Sequence, residues 1–147
     1  MIVILLIAEV TGIMGREGML DKASELFEEM PMSDVEWNVY SFTALINAYG
    51  RNGQHEASLH LLARMKREMV TPNLITYNTV INACAKGGLD WEGLLGLFAQ
   101  MRHEGIQPDI ITYNTLLSAC SRFVVPDLFS FASFLYMLGM LRRSHYF

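Results

Sequence analysis

An eight-residue motif returns along this chain at almost constant spacing, and that recurrence restricts the fold more than any other feature. Phe42-Thr43-Ala44-Leu45-Ile46-Asn47-Ala48-Tyr49 aligns with Tyr77-Asn78-Thr79-Val80-Ile81-Asn82-Ala83-Cys84 and with Tyr113-Asn114-Thr115-Leu116-Leu117-Ser118-Ala119-Cys120, at offsets of 35 and 36 residues. Weaker copies lie at Ile7, Val10 and Met14 and at Phe131, Phe134, Leu135 and Leu138. In each copy the apolar residues fall at i, i+3, i+4 and i+7, the stripe of an amphipathic helix. A fixed period of roughly 20–50 residues marks stacked supersecondary units.

A second stripe follows the first in the first three units: Leu26, Phe27, Met30; then Leu61, Leu62, Met65; then Leu97, Phe98, Met101. Gly53 and Gly87-Gly88 separate the two stripes, where glycine ends a helix in a left-handed conformation. Pro72-Asn73 and Pro108-Asp109 close the units, proline stopping one helix and Asn or Asp capping the next. Two short helices cannot bury their stripes alone, so neighbouring pairs must stack. The expected fold is therefore all-α, an α-solenoid of helix-turn-helix repeats forming a single domain over residues 1–147. The units are 4–38 (degenerate), 39–73, 74–109, 110–127 and 128–147. A four-helix bundle needs no such residue-by-residue recurrence. The tetratricopeptide opening Trp-x-x-Leu-Gly-x-x-Tyr is absent.

Composition agrees with a folded binding module. Apolar residues make up 52% and charged residues 18%, which argues against a disordered chain. A net charge of -4 provides no global basic field, so nucleic-acid binding has to come from a local patch or from base contacts. Met1 to Ala8 lacks the basic start and cleavage pattern of a signal peptide, and no Arg- and Ser-rich transit segment is present. Leu128 to Leu141 is uncharged but shorter than the ~18–20 residues of a membrane span, so no membrane helix is expected. Cys84 and Cys120 share one place on the apolar stripe, where cysteine acts as a small hydrophobe. His55, His60, His103 and His145 share no ligand geometry and read as surface residues, and Glu25, Glu28 and Glu29 as a solvated face. No nucleophile triad, phosphate loop or carboxylate pair is recognisable, so the chain reads as a non-enzyme without cofactor or metal.

Ile75-Thr76-Tyr77-Asn78-Thr79-Val80-Ile81-Asn82-Ala83-Cys84-Ala85-Lys86-Gly87-Gly88 and Ile111-Thr112-Tyr113-Asn114-Thr115-Leu116-Leu117 resemble the opening of the plant-type pentatricopeptide repeat. Gly105-Ile106-Gln107-Pro108-Asp109 resembles its close. The resemblance runs over about residues 4–141 and is clean over 39–121. It implies an RNA-binding solenoid, and the segment from Tyr40 to Cys120 resembles a member of the plastid transcriptionally active chromosome. Plastid gene expression is thus the implied setting. The chain departs from the pattern where the unit opening at Ile110 reaches Val125-Pro126-Asp127 after 18 residues, which predicts a missing second helix. The next unit holds only its first helix, as expected of a truncated product.

By that resemblance, single-stranded RNA lies along the first helices, one base per unit. The fifth residue of a unit reads the base edge together with the last, and the second residues of adjacent units sandwich the base. The readers are then Thr43 with Asn73 for adenine, Asn78 with Asp109 for uracil, and Asn114 with Asp127; Ala8 with Asn38 specifies nothing. The sandwich residues are Tyr40, Ile75 and Ile111. Helix capping alone accounts equally for Asn73, Asp109 and Asp127, and packing for the isoleucines. Arg16, Arg51, Lys86 and Arg122 hold the thirteenth place of their units and form a phosphate ladder when stacked; a cation in the last turn also complements a helix dipole. Trp37 and Trp91 read as packing anchors more than stacking platforms. The contrasting reading is a scaffold that docks transcription-complex proteins. Apolar segments at both ends, Met1 to Ala8 and Leu128 to Leu141, predict self-association, because solenoids ordinarily need polar caps.

Overall fold

The computed structural model describes residues 17–122, and among these every regular element is helical. Helix α1 spans Glu17–Glu29 and is followed by a 3-10 turn at Pro31–Ser33. Then come α2 (Val39–Arg51), α3 (His55–Arg67), α4 (Leu74–Gly87), α5 (Trp91–His103) and α6 (Ile110–Cys120). Among the described residues α2 with α3 and α4 with α5 make two complete helix-turn-helix units, with α1 and α6 on either side. The expected first helix of unit 4–38, both apolar ends and the helix expected over 128–147 lie outside the described residues.

Local chemistry starts and stops the helices. Asn38, Asn73 and Asp109 each cap a first helix from extended backbone, and each belongs to a reciprocal box with the third helical residue, Ser41, Thr76 or Thr112. Asp90 caps α5 by accepting from the Gly93 amide at 2.8 Å. The turn between the helices of a unit is made by left-handed glycine, Gly53 at φ 75° and Gly88 at φ 90°. Between units the left-handed position is held by Asp34, Met69 and Gly105, one repeat apart from each other.

Packing follows the two stripes. First helices lie on first helices, α2 on α4 and α4 on α6, while α3 packs against both α2 and α4. Gly50 permits a close approach of α2 to α4, since a Cβ there would lie 2.5 Å from the Ala83 Cβ. The interior is continuous from unit to unit through Phe27, Phe42, Met65, Tyr77, Phe98 and Leu116, all at or near zero exposure. Burying a side chain of this size is worth about 1.5–3 kcal/mol. At the α1 end the Phe27 and Phe42 rings meet edge to face at 4.9 Å, and Trp37 stacks on Phe27 at 5.4 Å while donating its Nε1–H to the Phe27 carbonyl at 2.7 Å. Trp37 is thus an anchor, and Trp91 at the start of α5 is buried.

Glu25, Glu28 and Glu29 are exposed, as a solvated face requires. Glu28 in addition forms a two-pronged ion pair with Arg64 of the next unit, whose guanidinium lies 4.6 Å from the Trp37 ring. The Arg64 hydrogen bond holds the Glu28 carboxyl below its ordinary pKa. His55 is half-buried because its ring packs on Gly87, where a Cβ would come within 2.4 Å of Nδ1; His60 and His103 are exposed. One unit further, Lys66 pairs with Glu104 and also approaches the Tyr77 hydroxyl at 2.9 Å. Burial raises the Tyr77 pKa, so that ring is a neutral hydrogen-bonding partner.

Candidate nucleic-acid interface

The first helices present one surface built from their second, fifth, ninth and thirteenth places. At the second place Tyr40, Ile75 and Ile111 are 68, 63 and 58% exposed. Helix-initial apolar residues this open to solvent contribute little to the core, so ordinary packing does not account for them. Each sits just after a capping residue, where its helix begins, and the three project in register because the units stack in register.

The fifth and last places come together. The Asn78 Nδ2–H donates to Asp109 Oδ1 at 3.0 Å, although 31 residues separate them. Asp109 Oδ1 also accepts from the Thr112 amide at 2.9 Å, so one oxygen both caps α6 and holds Asn78. Capping and pairing, which the sequence left as alternatives, coexist at this residue. Bonding chiefly to the Thr112 amide, with Asn78 contributing, keeps the Asp109 carboxyl below its ordinary pKa and therefore ionised at neutral pH. In the preceding unit Thr43 reaches Asn73 indirectly: the Thr43 and Thr76 hydroxyls lie 2.9 Å apart, and Thr76 donates to Asn73 Oδ1 at 3.1 Å. Asn114 is exposed on α6, and its expected partner Asp127 lies outside the described residues.

Two clefts run along this surface. The first, about 360 Å3, brings together Ile75, Asn78, Asp109 and Ile111, the four residues expected to read and sandwich one base. The second, about 330 Å3, is lined by Arg51 and Lys86. Asn47, Thr79 and Asn82 border both. Sequence reasoning passed over these three; for Asn47 and Asn82 the signal was available, since with Ser118 they share the ninth place. Arg51 and Lys86 occupy the last turns of α2 and α4, as dipole complementarity favours. Arg122 follows α6 with its Nε–H 3.5 Å from the Ser118 carbonyl, and Arg16 lies outside the described residues.

Burial pushes the Cys84 thiol up to about 12, so it stays protonated and unreactive. Among the described residues no three His, Cys, Asp or Glu side chains are placed to hold a metal ion, and no helix is long and apolar enough to cross a membrane.

The family model of the pentatricopeptide repeat domain matches residues 25–87 and 90–122, and a model of the single repeat matches residues 12–35. The chain belongs to the pentatricopeptide repeat family. Among pentatricopeptide repeat proteins it is 36% identical, over 84 residues, to a chloroplastic member from Arabidopsis thaliana; the match covers 57% of this chain and 10% of that protein. A crystal structure of the pentatricopeptide repeat protein PPR10, in complex with an 18-nt psaJ RNA element, is similar at 33% identity and a TM-score of 0.65, over 88% of this chain and 19% of that one. The crystal structure of PPR10 from maize has a TM-score of 0.73 at 22% identity, over 96% of this chain and 20% of that one, a likeness of fold alone. The chain spans about a tenth to a fifth of the length of the curated relatives it matches.

Proposed function

We propose that this chain binds single-stranded RNA along the face of α2, α4 and α6, by base-edge hydrogen bonds and contacts to phosphate. The observation that carries this reading is the cleft in which Ile75, Asn78, Asp109 and Ile111 converge. Two exposed apolar side chains there flank a donor-acceptor pair, the arrangement that holds an unstacked base and reads its edge. Asn78 with Asp109 would read uracil and Thr43 with Asn73 adenine, with Asn114 and Asp127 as a third pair. Arg51 and Lys86, beside that cleft, would take the phosphates, extended by Arg16 and Arg122 in the stacked array. The RNA bound by a structure to which this chain is similar supports the same reading. A role in plastid gene expression is proposed on the resemblance of Tyr40 to Cys120 and on the chloroplastic relative. The function is recognition, with no catalytic step.

Affinity should be modest, because each stacked base contributes about 1–3 kcal/mol and this chain supplies few units. Reversing charge at Arg51 and Lys86 tests the reading against protein docking. Arg51→Glu with Lys86→Glu should abolish RNA binding in a gel-shift titration while helicity stays intact. Unchanged RNA binding would remove the phosphate ladder from the account. Unchanged self-association in the same variant, lost instead on polar substitution of Phe134 and Leu138, would support the docking reading.

A further inference from the structure

The Thr112 hydroxyl belongs to the capping box of α6, yet it also reaches back one unit. It accepts the Asp109 amide proton at 3.1 Å and donates to Asn78 Oδ1 at 2.6 Å. A hydroxyl has one hydrogen, and the competing Asp109 Oδ1 is farther away at 3.0 Å, so the proton goes to Asn78. The other side of the Asn78 amide is committed too, because a carboxylate only accepts and the NH2 group must face Asp109. Asn78 is therefore held from both ends, with one N–H and one carbonyl lone pair left for a ligand.

We infer that Thr112 is a positioning residue that locks the Asn78 amide in one orientation, and that this lock decides uracil over cytosine at that unit. The inference rests on the base-readout proposed above. Uracil offers an N3–H donor beside an O4 acceptor, whereas cytosine offers an N3 acceptor beside an N4 amino donor. The two edges are complementary to opposite settings of one amide. Ile75 and Ile111 line one cleft with Asn78 and Asp109, so for a base held there the amide fixed in one setting matches one pyrimidine and mismatches the other. In the preceding unit the equivalent threonine, Thr76, also lies beside the fifth-place residue, its hydroxyl 2.9 Å from that of Thr43, but Thr43 has no amide to orient.

The test uses the full chain and two single-stranded RNAs that differ only by uracil or cytosine at the nucleotide facing Asn78. Wild type should favour uracil, Thr112→Val should reduce the uracil-to-cytosine ratio about two- to tenfold, and Thr112→Ser should restore it. A purely structural threonine would weaken both RNAs equally, and an unchanged ratio in Thr112→Val overturns the inference while leaving base readout standing. Equal binding of both RNAs by wild type overturns base readout and the inference with it. Should the valine variant fail to fold, the Thr112 hydroxyl proton of wild type decides by NMR. A hydroxyl proton coupled across a hydrogen bond to the Asn78 side-chain carbonyl is expected, and one bonded to Asp109 instead would refute the lock.

Discussion

Asp109 uses a single carboxylate oxygen to cap α6 and to hold Asn78, whereas Asn38 caps α2 with the same kind of box but follows a unit whose fifth residue, Ala8, has no hydrogen-bonding side chain. That difference separates capping from recognition. Asn38→Ala and Asp109→Ala should each lower the urea midpoint through loss of a helix cap. Only Asp109→Ala should also erase base selectivity, and equal loss of selectivity in both variants would mean that these residues act on stability alone. The carboxylate adds a pH dependence. Asp109 has a folded pKa below its ordinary 3.8, so its contribution is complete above that value and is lost as the pH falls through the folded pKa. Asp109→Asn keeps a capping oxygen, so thermal melting should match wild type at pH 7 and fall less steeply on acidification below about pH 4. Capping residues were legible in the sequence because turn chemistry is local. The bond from Asn78 to Asp109 followed only from the family resemblance, and the double use of Thr112 was hidden because its reach back to Asn78 depends on how the units stack.

At the scale of the helices, glycines with the same backbone carry opposite consequences. Gly50 faces Ala83 across the α2–α4 contact, whereas a Cβ at Gly96 in α5 meets nothing within 4 Å. Alanine favours a helix over glycine by about 1 kcal/mol, so Gly96→Ala should raise the urea midpoint. Gly50→Ala should lower it, because wedging α2 from α4 costs about 1–3 kcal/mol and outweighs the helical gain. Identical shifts in both would show that the two helices do not approach as described. Met69 offers a third case: it is 88% exposed and left-handed at φ 59°, where the next unit has Gly105. Left-handed backbone costs a non-glycine residue about 1–2 kcal/mol, so Met69→Gly should stabilise by roughly 1 kcal/mol in the same assay. The helices and their order were readable from periodicity, since both stripes recur in phase. The ion pairs Glu28–Arg64 and Lys66–Glu104 were not, because they join second-helix and turn positions of successive units and only stacking makes them neighbours.

For the whole molecule, stacking turns short local motifs into a continuous surface. Tyr40, Ile75 and Ile111 hold the same exposed place of successive first helices, and Arg51 and Lys86 share a cleft, despite the net charge of -4. A local row of cations suffices where a global field is absent, and each phosphate it neutralises should steepen the salt dependence of binding by about 0.7 in log–log slope. The ninth-place residues Asn47 and Asn82 join base cleft to cation cleft. Their role could not be read from one helix, where a polar residue in mid-helix is simply a solvated position. The most direct test is a titration of the purified chain, at two salt concentrations, with a short single-stranded RNA carrying an adenine–uracil step and with matched scrambles. The account predicts sequence-dependent, salt-sensitive binding that is lost on changing Asn78 and Asp109. Absence of binding at high micromolar RNA, in a sample shown to be helical, would contradict it.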